Sequence, residues 1–166
     1  MPPSFSLRDC LHCELRPLRM FCNLNADALA DFSALGIQTK ISSGAKLFRE
    51  DEPGGAVIVV CAGQVKLSCT SREGRTLILK IAMPGDVLGL SATISGTRHE
   101  VTAETIEPTQ IKTIPRGDFM VFLEKHGEAS LHSARALSEE YRTAFVDARR
   151  LALSTSAFGT TRQRYA

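Results

Sequence analysis

Closely spaced glycines limit most strongly what this chain can fold into. Between about residues 37 and 116, short β-prone runs such as AVIVVCA and QVKLSCT alternate with single or paired glycines. Glycine accepts backbone conformations that other residues avoid, so each glycine marks a turn between two short strands. Many short strands joined by tight turns predict a sandwich or barrel-like roll, and SREG at 71–74 predicts a hairpin. The turns are expected at Gly44, Gly54, Gly55, Gly63, Gly74, Gly85, Gly89 and Gly96.

Helical patterns flank this β-rich region on both sides. The stretch NADALADFSALG at 25–36 predicts a short helix, which Asn25 or Asp27 can cap and Gly36 can end. After the β-rich region, GDFMVFLEKHG predicts a second short helix that ends near Gly127. The fold class is therefore mainly β, with flanking helices.

A long helix is expected at about 128–154, and it carries a regular apolar seam. Its apolar residues recur at spacings of 3, 4, 3, 4 and 3, which is the heptad pattern of a coiled coil. Two copies of such a helix form a two-fold symmetric homodimer, and the alternative is a helix that packs on its own domain. The predicted dimer seam consists of Ala134, Leu137, Tyr141, Ala144, Ala148 and Leu151.

These patterns divide the chain into four parts. A cysteine-rich segment at 1–24 precedes the roll at 25–127, and the dimerisation helix occupies 128–154. The remaining tail at 155–166 is expected to be disordered, because a glycine and two threonines interrupt the helical pattern there.

The composition is that of an ordinary globular protein. Hydrophobic residues make up 43% of the chain and charged residues 23%, which suffices for a core. A formal net charge of +2 is too small to indicate a nucleic-acid or membrane partner. No apolar run approaches the roughly 20 residues of a membrane span, and MPPSFSLRDC lacks the apolar core of a signal peptide. With an odd number of cysteines, these features predict reduced thiols and a cytoplasmic location.

A family resemblance rests on one continuous stretch. Residues 44–90 contain a glycine before a first LF strand, a G-x-V-K-L strand, a hairpin, and PGD before a tight turn. This stretch resembles the roll of the Crp/Fnr superfamily of bacterial transcription regulators, and the likeness covers about residues 25–154. The resemblance implies a cyclic-nucleotide-binding-like jelly roll, or double-stranded β-helix, followed by a dimerisation helix.

The resemblance also implies where an effector would bind. Nucleotide-binding members of the superfamily hold the cyclic phosphate at a short helix, with a glutamate for the ribose and an arginine–serine pair for the phosphate. In the corresponding stretch, GDVLGLSATISGTRHEVTAET, Leu90 stands at the glutamate position. A buried ribose hydroxyl without a partner costs about 1–3 kcal/mol, so tight binding of cyclic AMP is doubtful. The implied effector-binding residues are Gly89, Leu90, Ser91, Thr97 and Arg98.

Three cysteines stand close together near the start of the chain. Cys10, Cys13 and Cys22 resemble the first three ligands of the 4Fe–4S cluster in Fnr-like regulators. The resemblance places the fourth ligand near TQIKTI at 109–114, which contains no cysteine. Cys61 lies in an apolar run and is predicted to be a core residue, and His12 is a further candidate ligand for zinc. Four alternatives stay open: an iron–sulfur cluster, a structural zinc ion, a thiol redox switch, or no cofactor.

The leading hypothesis is an effector-sensing and dimerisation module of a Crp/Fnr-type transcription regulator. Members of that superfamily read DNA with a helix-turn-helix after the long helix, and FGTTRQRYA at 158–166 does not continue into one. Specific DNA binding is therefore expected of a full-length relative and not of this chain alone. The alternative is a stand-alone cyclic-nucleotide-binding module that acts through a protein partner. An enzyme is not expected, because the four histidines form no HxH motif.

Overall fold

The computed structural model describes residues 9–19 and 21–158 of the chain, and its centre is a roll of eight strands. Every pairing among the described strands is antiparallel, as expected for a jelly roll. The predicted fold class is therefore confirmed. The strands are β1 (Ile37–Ile41), β2 (Lys46–Phe48), β3 (Ala56–Ala62), β4 (Val65–Thr70), β5 (Thr76–Ala82), β6 (Val87–Leu88), β7 (Thr102–Thr105) and β8 (Thr109–Pro115).

The strands form two four-stranded sheets that face each other. The first sheet has the order β1–β8–β3–β6, and the second has the order β2–β7–β4–β5. In the first sheet Val59 of β3 pairs with Lys112 of β8, and that register bears on the site described below.

The predicted hairpin at 71–74 joins β4 to β5. The Ser71 backbone N–H donates to the Arg75 carbonyl over 2.8 Å, which closes the turn. Gly74 has φ of +82°, a conformation that side-chain-bearing residues avoid, and this explains the glycine at this position.

Strand β3 is buried on both faces, and this explains its apolar run. Val57 and Val59 pack against the helices on the outer face, whereas Ile58 and Val60 point into the roll. A strand covered on both sides needs apolar residues at every position instead of at alternate positions. The roll interior is filled by Phe48, Ile58, Val60, Val65, Ala82, Leu88, Ala103 and Ile111.

Helical elements cover the outer face of the first sheet and connect its strands. Asn25 caps the first α-helix, because its side-chain oxygen accepts the Ala28 N–H over 2.9 Å. Of the two predicted caps, Asn25 is therefore the one that the structure uses. The elements are two 3₁₀ turns at Cys10–His12 and Arg16–Leu18, α1 (Ala26–Ala34), α2 (Leu90–Ser95), α3 (Arg116–Lys125) and α4 (Gly127–Phe158).

The long helix α4 is packed at its start and exposed further along. Ala129 and Ser133 are buried against the domain, whereas every residue from 138 to 154 is exposed. Tyr141 and Leu151 of the predicted seam are 69% and 64% exposed. The helix continues to Phe158, beyond the predicted start of a disordered tail at 155, and residues 159–166 lie outside the described part. Within the described residues, no helix combines the length and low polarity needed to cross a bilayer.

Candidate functional site

Four thiols line one pocket between the N-terminal segment and the outer face of the first sheet. Cys10, Cys13 and Cys22 come from the segment, and Cys61 comes from β3. The space between the lining side chains is about 20 Å³, roughly the room of one water molecule. The remaining lining residues are Arg16, Arg19, Leu29, Phe32 and Val59.

Asp9 holds the first 3₁₀ turn in place. Its Oδ1 accepts the Leu11 N–H over 3.0 Å and the Ser33 hydroxyl over 3.1 Å, which ties the segment to α1. The backbone hydrogen bond from Leu11, followed by a side-chain bond from His12, lowers the pKa of Asp9. His12 Nδ1 lies 3.0 Å from Asp9 Oδ2, and its side chain is 84% exposed. His12 therefore points away from the pocket and does not complete a zinc site there.

Cys61 does not lie in the core as predicted; it is half-buried and faces the pocket. The reason is the period of two along β3. Val57, Val59 and Cys61 share the face that the helices cover, whereas Ile58 and Val60 face the roll. The alternation along the strand groups Cys61 with Val57 and Val59 already in the sequence. It does not show that the N-terminal segment covers their face of the sheet.

Lys112 occupies the strand on which the resemblance places a fourth cysteine. Its side chain is 1% exposed, and its ammonium donates to the Ser33 carbonyl over 2.9 Å. The same ammonium lies 3.8 Å from Cys10 Sγ and 4.9 Å from the centre of the Phe32 ring. Nothing in the local sequence TQIKTI distinguishes a buried lysine from an ordinary surface lysine of a β-strand.

Other N–H groups also point at the sulfur atoms. Gln38 Nε2 donates to Cys10 Sγ over 3.6 Å, and Gln110 Nε2 donates to Gln38 Oε1 over 3.1 Å, which orients the Gln38 amide. Arg19 is 8% exposed and places Nη1 4.0 Å from Cys13 Sγ. Arg16 Nε is buried without a hydrogen-bond partner in the described structure. One guanidinium group and one ammonium therefore lie within 4.0 Å of a thiol sulfur, and a second guanidinium group lines the pocket.

The thiols differ in their chemical surroundings. Burial raises the pKa of Cys22 to about 12, and neighbouring Cys61 adds to this effect. Burial also raises the pKa of Cys61 to about 11. In both cases Arg19 acts in the opposite direction without overcoming burial. Within the described residues, no three histidine, cysteine or carboxylate side chains lie close enough together to hold a single metal ion.

The residues of the predicted effector site are engaged in the fold itself. Gly89 precedes α2, and Leu90 is 2% exposed within the cluster that packs on the helices. The Ser91 hydroxyl donates to Glu100 Oε1 over 3.2 Å. Arg98 Nη1 donates to the Asp51 carbonyl over 2.5 Å, and the Thr97 carbonyl accepts the Gly54 N–H.

His99, which with Arg98 is one alternative for the arginine–serine pair, lies beside the predicted effector site. Its ring stacks on Phe48 with centroids 3.8 Å apart, and the residue is 5% exposed. Burial, as the largest effect, lowers the pKa of His99, which favours the neutral ring. A Cβ atom at Gly89 would lie 2.9 Å from His99 Cε1, so the imidazole fills the space next to the turn.

Comparisons with known proteins agree with this architecture. A family model described as cyclic nucleotide-binding domain matches residues 38–126, which is more than half of the chain. The chain belongs to the cyclic nucleotide-binding domain family. This cyclic nucleotide-binding domain is 30% identical over 116 residues to the nitrogen fixation regulation protein FixK of Bradyrhizobium diazoefficiens, covering 70% of the chain and 48% of FixK.

Two solved structures share the fold of the domain. The catabolite activator protein of Thermus thermophilus matches with a TM-score of 0.72 at 20% identity, over 80% of this chain and 62% of that one. The sensor domain of the regulator DNR from Pseudomonas aeruginosa matches with a TM-score of 0.67 at 20% identity, over 81% of this chain and 91% of that one. The family model and the similarity to FixK confirm the predicted membership of the Crp/Fnr superfamily, and these two structures show the shared fold. The chain spans about half the length of the curated relatives it matches.

Proposed function

We propose that this Crp/Fnr-type domain senses its signal at the four-thiol pocket and passes it to a homodimer interface on α4. The observation that carries the proposal is the convergence of Cys61 with the three N-terminal cysteines in one pocket. Three of these thiols are within thirteen positions of the chain, but the fourth arrives from a strand of the roll. A signal that alters the thiols therefore acts on the N-terminal segment and on the roll at the same time.

The nucleotide alternative has less support from the contacts of the roll. Leu90 offers no acceptor for a ribose hydroxyl, and it is buried on the helix side of the first sheet. The Arg98 guanidinium binds a backbone carbonyl, and His99 with Phe48 fills the adjoining space. A cyclic nucleotide would have to displace these groups before it could bind.

The charges around the thiols favour an anionic occupant of the pocket. Lys112 and Arg19 are held near the sulfur atoms, and Arg16 lines the pocket. No carboxylate is among the residues that line this pocket. Buried charges require a partner of opposite sign, and Arg16 Nε has no hydrogen-bond partner in the described structure. An iron–sulfur cluster held by four thiolates carries net negative charge and accepts N–H hydrogen bonds at sulfur. The donor set therefore fits such a cluster.

We propose that Cys10, Cys13, Cys22 and Cys61 would hold the cluster. When bound, the cluster would supply a redox-active centre that is sensitive to oxygen. The chain's own residues provide the thiolates, the surrounding N–H donors and an apolar wall that includes Phe32 and Val59. The free space between the lining side chains is only about 20 Å³, so the pocket would have to widen to hold a cluster.

The test is anaerobic purification of the chain, followed by visible absorption and by analysis of iron, sulfide and zinc. We expect iron and sulfide in equal amounts with charge-transfer absorption. Cys61→Ser should lose most of the bound iron, because it removes one of four ligands. Cys69→Ser is the matched control, since Cys69 is a half-buried cysteine on β4 that does not line the pocket.

Each other outcome has a defined meaning. Zinc without iron would support a structural metal site, and a metal-free protein that gains disulfides in air would support a thiol switch. Full iron content in Cys61→Ser would refute the assignment of the fourth ligand.

The second part of the proposal concerns dimerisation. Between residues 138 and 154 the apolar side chains of α4 are exposed, among them Tyr141 at 69% and Leu151 at 64% on the predicted seam. Burying such a seam against a second copy removes apolar surface from water, at about 25 cal/mol per Å². We propose that two copies of the chain form a homodimer through residues 128–154 of α4. We also propose that the protein is cytoplasmic. DNA is the expected target of longer relatives.

A further inference from the structure

The buried ammonium of Lys112 has no carboxylate partner in the part of the chain that the structure describes. Its contacts are the Ser33 carbonyl, the Cys10 sulfur and the face of the Phe32 ring. Among the described residues it forms no ion pair. A lysine that is 1% exposed costs considerable free energy in the absence of a negative charge nearby. The sulfur of Cys10 is the only atom in this set that can carry a full negative charge.

We infer that Lys112 tunes the reduction potential of the thiol-bound centre by placing a positive charge and an N–H donor beside Cys10. This inference rests on the proposed function, because it needs an iron–sulfur cluster in the pocket. Reduction adds one negative charge to the cluster, and a nearby ammonium stabilises that additional charge. Net charge and hydrogen bonds to sulfur are among the factors that set iron–sulfur potentials. Lys112 is therefore a positioning and charge-supplying residue and not a ligand.

The geometry explains why this lysine acts on Cys10. Val59 of β3 and Lys112 of β8 are paired in the first sheet, and Val59 lines the same pocket as Cys61. Lys112 thus projects its side chain towards α1, where Ser33 and Cys10 meet it. Gln38 provides a second donor to the same sulfur, so Cys10 has two donors and Cys13 has one.

The experiment compares the midpoint potentials of wild-type and Lys112→Met protein loaded with a reconstituted cluster. Methionine retains similar length and loses both the charge and the donors. We expect the midpoint to fall, with a change of at least tenfold in the reduction equilibrium, which is 59 mV for a one-electron couple. Lys66→Met is the matched control, because Lys66 is on β4 and pairs with Glu104 over 3.8 Å. Its midpoint should equal that of the wild type.

A second variant and a second readout keep the inference testable. Lys112→Gln removes the charge but retains an N–H donor, and it serves if the methionine variant does not fold. The metal-free Lys112→Met protein should unfold at a temperature no lower than the wild type, because a buried charge without a partner is removed. The stabilisation gained on cluster loading should be smaller in this variant than in the wild type.

The possible failures can be told apart. A wild-type chain that binds no iron under anaerobic reconstitution refutes the cluster proposal and the inference together. A loaded wild type with an unchanged midpoint in both Lys112 variants refutes the inference alone. An equal change in Lys66→Met would show that general surface charge, and not the contact with Cys10, sets the potential.

Discussion

Replacing Gly85 with alanine tests how the N-terminal segment is held on the roll. Gly85 has φ of +98°, and a Cβ atom there would lie 2.7 Å from Cγ and 2.9 Å from Cβ of Arg19. These atoms belong to the stem of a side chain that is 8% exposed, so they cannot move away without shifting the segment. The segment carries Cys13, whose sulfur lies 4.0 Å from Arg19 Nη1.

The magnitude follows from two separate costs. A side-chain-bearing residue at positive φ costs about 1–2 kcal/mol. Overpacking against Arg19 adds about 1–3 kcal/mol. Gly85→Ala should therefore reduce the free energy of unfolding by about 2–5 kcal/mol, which is the sum of these ranges.

Gly74→Ala provides the control for backbone strain. Gly74 has φ of +82°, but no atom lies within 4 Å of its Cβ position. Its loss should stay at about 1–2 kcal/mol, so the difference between the two variants isolates the clash with Arg19. Urea denaturation measures both values, and mass spectrometry after timed alkylation measures the reactivity of Cys13. Equal losses in both variants, with Cys13 no more reactive in Gly85→Ala, would refute the reasoning.

The other predictions concern the helix seam and acid stability. Light scattering should show that Ala144→Glu converts the dimer to a monomer. Thr143→Glu changes the preceding residue, which is off the seam, and should leave the dimer intact. A dimer in both variants would refute the proposed coiled coil. The side chains of Lys125 and His126 each form a hydrogen bond of 2.7 Å with Asp31 Oδ2. These bonds, with that of Lys125 the larger effect, hold the pKa of Asp31 below its usual value of 3.8. The ionised Asp31 carboxylate therefore stabilises the fold above pH 3.8, and this stabilisation is lost as the pH falls through the lower pKa of the folded state. Asp31→Asn should consequently lose less stability than the wild type in acid denaturation. An equal loss of stability in both proteins would contradict this.

Local patterns in the sequence predicted much of the fold. The hairpin at SREG and the Asn25 cap involve residues within a few positions of each other, so short-range geometry suffices to predict them. The buried run in β3 also reads correctly as a strand. The run does not reveal which residues cover each face of the strand, so the sequence alone predicts that Cys61 lies in the core, whereas the structure places it in the pocket.

The sequence by itself determined a glycine-punctuated roll, a long helix with an apolar seam, and three thiols grouped near the start of the chain. These features depend on steric limits at turns and on side-chain periodicity, which act between near neighbours in the chain. Only the tertiary structure decided that Cys61 joins those thiols and that Lys112 reaches Cys10 over 3.8 Å. That outcome depends on the β3–β8 register and on where the N-terminal segment packs, which are contacts between residues far apart in the chain.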